Sequence, residues 1–109
     1  MRVYADDPFR TYDLSGRELR IHWDQRFETM EDLDGQEVTQ YSALEALCDL
    51  YDTREVLIRK IIASVYTLED EIALINNQHD EPQEYADYQA FRSTAKQLAD
   101  DWLATQVPT

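Results

Sequence analysis

From Leu44 to Ile75 apolar residues recur every three and four positions: Leu44, Leu47, Tyr51, Ile58, Ile61, Val65, Leu68, Ile72 and Ile75. That spacing lines one face of an α-helix, and such a face has to be covered. It predicts helix across residues 42–77, opened by Ser42, which forms a capping box with Glu45 three positions on. Asp52 and Thr53 interrupt the run with side chains that compete for backbone hydrogen bonds. One bent helix and two consecutive helices both satisfy the pattern.

Pro82, close behind Asp80 and Glu81, marks a second helical start, because proline is tolerated in a first turn and acids there favour the helix dipole. Tyr88, Phe91, Ala95, Leu98 and Trp102 repeat the same spacing. The expectation is an antiparallel helical hairpin over 42–105, with Val107 to Thr109 as a frayed end.

Ahead of the seam the period changes to two. Leu19, Ile21, Trp23 and Phe27 fall on one side and Glu18, Arg20, His22, Asp24 and Arg26 on the other, the mark of a half-buried strand. Asp34-Gly35 supplies a two-residue turn, and Gln36 to Tyr41 returns as a second strand. Residues 1–17 scatter their apolar groups and read as an irregular arm with at most one short strand. The fold expected is therefore α+β, mainly α: a single domain over 1–109 with an N-terminal β-hairpin at 18–41 followed by the helical hairpin.

A chain of 109 residues lies near the lower end of what one core stabilises, which favours a second copy or a partner. The 23 acids outnumber the ten bases for a net charge of −13, so phosphates are repelled and direct nucleic-acid binding is not expected. Residues 1–40, 41–78 and 79–109 carry −5, −4 and −4; the charge belongs to the whole surface. Only Lys60 and Lys96 are lysines. The lone Cys48 forms no internal disulfide and reads as a small buried hydrophobe in a reducing compartment. Met1 to Asp7 break into charge before any apolar run, so no secretory leader is expected, and no segment is long enough for a membrane span.

Few residues offer chemistry. Aligning Gly35 with the glycine of a calcium loop puts Met30 and Tyr41 at the terminal ligand positions, where neither supplies a carboxylate. His22 and His79 have no Cys or His at metal-ligand spacing and no evident nucleophile, and both read as exposed histidines. Tyr85, Tyr88, Phe91 and Trp102 stand at helical spacing with few cations nearby, which favours core packing over base stacking. Neither a catalytic residue nor a metal or other cofactor is expected. Two interaction surfaces are: an assembly seam of Ile58, Ile61, Val65, Leu68, Ile72 and Ile75, and an acidic patch of Glu69, Asp70, Glu71, Asp100 and Asp101. Glu69 to Glu71 would stand in mid-helix, and Asp100 and Asp101 near a helix C-terminus where negative charge opposes the dipole.

Arg59-Lys60-Ile61-Ile62-Ala63-Ser64-Val65-Tyr66-Thr67-Leu68-Glu69-Asp70-Glu71-Ile72-Ala73-Leu74-Ile75, with Glu84-Tyr85-Ala86-Asp87-Tyr88-Gln89-Ala90-Phe91-Arg92 and Lys96, resembles a helical hairpin of small proteins from tailed bacteriophages and prophages. It covers roughly a third of the chain. The resemblance implies a phage origin, a location in the host cytoplasm or the virion, and an accessory or structural role near the tail; it carries no catalytic residue over. The function expected is non-enzymatic: protein–protein contacts in virion assembly, with the chain itself as a homo-oligomer or other phage proteins as partners, and neither nucleic acid nor a membrane bound directly. The alternative from composition is an acidic nucleic-acid mimic that inhibits a host defence enzyme, steered to a basic groove by charge.

Overall fold

A computed structural model describes residues 1–106; the expected frayed end at 107–109 lies outside the described residues. The elements are β1 (Arg2–Ala5), β2 (Tyr12–Ser15), β3 (Glu18–Glu31), β4 (Glu37–Asp49), α1 (Arg54–Ala63), α2 (Leu68–Asn76) and α3 (Pro82–Thr105). They fall into two compact units, Met1–Leu50 and Tyr51–Thr109.

The first unit is one antiparallel sheet in the order β1-β4-β3-β2. This corrects the mainly α expectation: four strands stand where one hairpin was predicted. The arm at 1–17 supplies two of them. β1 adds to β4 with Val3 opposite Ala43, and β2 folds onto β3 through Gly16, whose φ of 62° suits the first central position of a tight hairpin turn.

The larger correction lies at 42–49. Ser42 caps no helix, and Leu44 and Leu47 sit on β4, with Leu19 opposite Cys48, Ile21 opposite Ala46 and Trp23 opposite Leu44. Ser42-Ala43-Leu44-Glu45-Ala46-Leu47-Cys48 satisfies both periods, since Ser42, Leu44, Ala46 and Cys48 alternate as well. Pairing with the apolar side of β3 decides the matter, and Leu19, Ile21, Ser42 and Ala43 are fully buried. Short apolar runs are ambiguous in this way until a partner strand is known.

The β3–β4 hairpin also departs from strict alternation. Asp24 adopts a left-handed φ of 53°, and the register shifts between Trp23 and Arg26. One extra residue in β3 flips every later side chain to the other face. Phe27 therefore leaves the side of Trp23, pairs with Tyr41 and tilts on its ring at 4.7 Å. Arg2 fastens the bulge, donating to the Asp24 carbonyl at 3.2 Å, to Asp24 Oδ2 at 2.6 Å and to Ser42 Oγ at 3.0 Å. The hairpin end is longer than the expected two-residue turn: Asp32 Oδ1 accepts from the backbone N–H groups of Asp34 and Gln36, both at 2.9 Å, while Gly35 takes the positive φ of 77°.

The second unit is three helices. Thr53 caps α1 by accepting from the Val56 N–H, so the interruption expected at Asp52 and Thr53 is a helix start. Thr67 caps α2, and Pro82 stands in the first turn of α3. α3 packs mainly on α1 and less on α2. Leu57 and Ile61 of α1 and Ala95 and Ala99 of α3 are fully buried, beside Ile62, Tyr88 and Trp102. The two alanines allow close approach of the helices, and the larger side chains fill the flanks.

Candidate protein-interaction surface

The predicted seam divides at Ser64. In its α1 half Ile61 is fully buried in the core and Ile58 is half-buried at the core's edge. Its α2 half is open. Val65, Leu68, Ile72 and Ile75 are 40, 72, 51 and 47% exposed, and α2 has no buried residue. The chain turns at Ser64 to Thr67, where Ser64 Oγ donates to the Ile61 carbonyl at 2.6 Å and closes the α1 terminus. α2 then begins afresh on Thr67, and the register of the seam no longer faces the α1–α3 core.

A groove of about 510 Å³ results. Ile58 and Ile62 of α1, Tyr66, and Leu68 and Ile75 of α2 form its apolar lining, with Tyr88 from α3. Glu55, Arg59, Glu71 and Arg92 stand around it. The aromatic wall is closely packed: Tyr66 meets Tyr88 edge-on at 5.2 Å and Phe91 at 5.7 Å, and Tyr88 donates its hydroxyl to Glu71 Oε1 at 2.6 Å. Burial, and then that bond to a carboxylate, push the Tyr88 phenol up to about 12, because both disfavour the phenolate. Burial also raises the Tyr66 phenol, helped by Asp87 and Glu84.

The five acids of the predicted patch have individual tasks. Glu69, Asp70 and Glu71 occupy the first turn of α2 rather than mid-helix, where they complement the dipole. Asp70 and Thr67 exchange capping-box hydrogen bonds at 3.0 and 3.1 Å, and the Thr67 N–H and hydroxyl hold the Asp70 carboxyl below the usual range. Asp100 accepts from Arg54 at 2.6 Å, and that hydrogen bond lowers its carboxyl. Asp101 accepts from Gln97 at 2.7 Å. A smaller hollow of about 340 Å³, with Val65, Leu74, Glu81 and Glu84 in its lining, carries a carboxyl pair: Glu84 raises the Glu81 carboxyl by charge and by a shared hydrogen bond.

In the sheet unit His22 is not the exposed histidine expected. It is 5% exposed and Glu45 7%, with His22 Nε2 at 2.9 Å from Glu45 Oε2. His22 Nδ1 donates to the Arg10 carbonyl at 2.8 Å, and Phe9 tilts on the ring at 4.8 Å. Helical periodicity places Glu45 on a helix and so hides this pair in the sequence; on β4 the register opposes the two directly. Among the described residues no group of three His, Cys, Asp or Glu side chains could hold a metal ion, and no helix is long and apolar enough to cross a membrane.

Fold and surface together define an α+β chain of a four-stranded antiparallel sheet unit and a three-helix unit that bears an open apolar groove. No protein-family model, curated protein or solved structure matches it.

Proposed function

We propose that the chain is a non-enzymatic structural or tail-associated protein of a tailed bacteriophage or prophage, acting through protein–protein contacts in virion assembly. The observation that carries this reading is the open apolar face of α2. Leu68, Ile72 and Ile75 are about half exposed or more, and a helix that leaves its apolar stripe to water gains stability when a partner covers it. The stretch that resembles phage proteins, Arg59 to Lys96, spans the second half of α1, all of α2 and somewhat more than the first half of α3, so resemblance and open face coincide. On this reading the chain resides in the host cytoplasm or the virion. The acidic-inhibitor reading has less support, since Asp70, Glu71, Asp100 and Asp101 all accept internal hydrogen bonds.

The test is genetic and structural. Deleting the gene from the genome that carries it and inducing particle production should give incomplete particles by electron microscopy, rescued by the wild-type gene and not by Ile72→Glu. Normal particles in normal yield from the deletion strain, with the chain absent from purified wild-type particles and their assembly intermediates, would overturn the proposal.

A further inference from the structure

We infer that the groove of the helical unit is filled by the α2 helix of a second copy, in a closed two-fold dimer. The inference rests on the protein-contact reading above and names the partner. Two observations carry it. Ridge and groove belong to the same surface: Leu68 and Ile75 line the groove, and with Ile72 they form a stripe at i, i+4 and i+7 along one side of α2. A surface that offers both an apolar ridge and an apolar groove is self-complementary, which is what a two-fold contact requires.

The second observation is charge. Two acids, Glu55 and Glu71, and two bases, Arg59 and Arg92, border the groove, so its rim is neutral while the rest of the chain carries the entire −13. Two copies repel each other through any acidic face and approach without that penalty at this rim, where the acids of one can meet the bases of the other. A basic partner, by contrast, would be drawn to the acidic faces and not to a neutral groove. Arg92 is already held in place, its guanidinium carbon 5.8 Å from the Tyr88 ring centroid.

Sedimentation equilibrium of the full chain should give a dimer, and Ile72→Glu should weaken it on the order of 100-fold by forcing a carboxylate into the contact. Charge variants keep the test separate from apolar packing. Arg59→Glu with Arg92→Glu leaves an all-acidic rim, and Glu55→Arg leaves an excess of base. Each alone should lower dimer affinity about tenfold or more, and an equimolar mixture of the two should recover a dimer of mixed composition. Circular dichroism checks that each variant is folded. A wild-type monomer at every accessible concentration, a higher multimer, or a dimer indifferent to both charge variants would overturn the second copy as occupant. Those results leave the phenotype of the deletion strain unaffected, so failure here is distinct from failure of the assembly proposal.

Discussion

Tyr88 ties the interior of the helical unit to the groove. Its ring is 2% exposed, and its hydroxyl donates to Glu71 on α2, so one side chain is at once core, groove lining and fastening for α2. The raised phenol gives a test with a definite sign. The folded chain keeps this proton to about 12 whereas the ordinary value is 10, so between those values the unfolded state has released a proton that the folded state still holds, and rising pH favours unfolding. The stabilisation is complete below pH 10 and disappears as pH rises through the folded value, amounting to about 2–3 kcal/mol for two pH units. The stability difference between wild type and Tyr88→Phe, measured by urea unfolding, should shrink across that window. Parallel profiles for the two proteins would show that the Tyr88 proton is not linked to folding.

Among the elements, α2 is the one whose stability is least secured by its own unit. α1 and α3 bury Leu57, Ile61, Ala95 and Ala99 completely; α2 buries nothing and is held by its Thr67–Asp70 capping box and the Glu71–Tyr88 hydrogen bond. Thr67→Ala should remove about 1 kcal/mol of helix stability, and in hydrogen exchange the amides of 68–76 should lose protection while those of 54–63 keep theirs. Equal loss in both segments would mean that α2 opens only with the whole unit. The same contrast explains what could be read from the sequence. α1 and α3 were legible because their three and four spacing is satisfied inside the unit, with Ile61, Tyr88, Ala95 and Trp102 buried as that spacing requires. The α2 residues were legible as a seam, but not as open, because periodicity tells which residues share a face and not what lies opposite. β4 is ambiguous in the sequence because 42–49 fits both periods and only its pairing with β3 chooses. The flip of Phe27 could not be anticipated either, since a bulge at Asp24 is a property of the strand pair, and its signal in sequence is one polar residue among many.

For the molecule as a whole, the dominant long-range term is self-repulsion. With 23 acids against ten bases, like-charge pairs outnumber opposite-charge pairs over the chain. Exposed ion pairs such as Arg54–Asp100 and Arg26–Asp24 each offset only a fraction of that, since surface pairs are worth about 0–1 kcal/mol. Salt weakens both terms, and the larger one decides the sign. Raising ionic strength from about 0.01 M to about 1 M shortens the screening length from about 30 Å to about 3 Å, so repulsion across the molecule fades while apolar burial persists. The midpoint of thermal unfolding should therefore rise with sodium chloride, measured at a concentration low enough to keep the chain monomeric, so that association does not contribute. For the two-fold dimer proposed above, the rise should be steeper at higher concentration, because salt also removes the repulsion between two copies that each carry −13 and leaves apolar association intact. A midpoint that falls with salt would mean that the ion pairs outweigh the repulsion, and that the acidity is organised into attractive networks rather than spread over the surface.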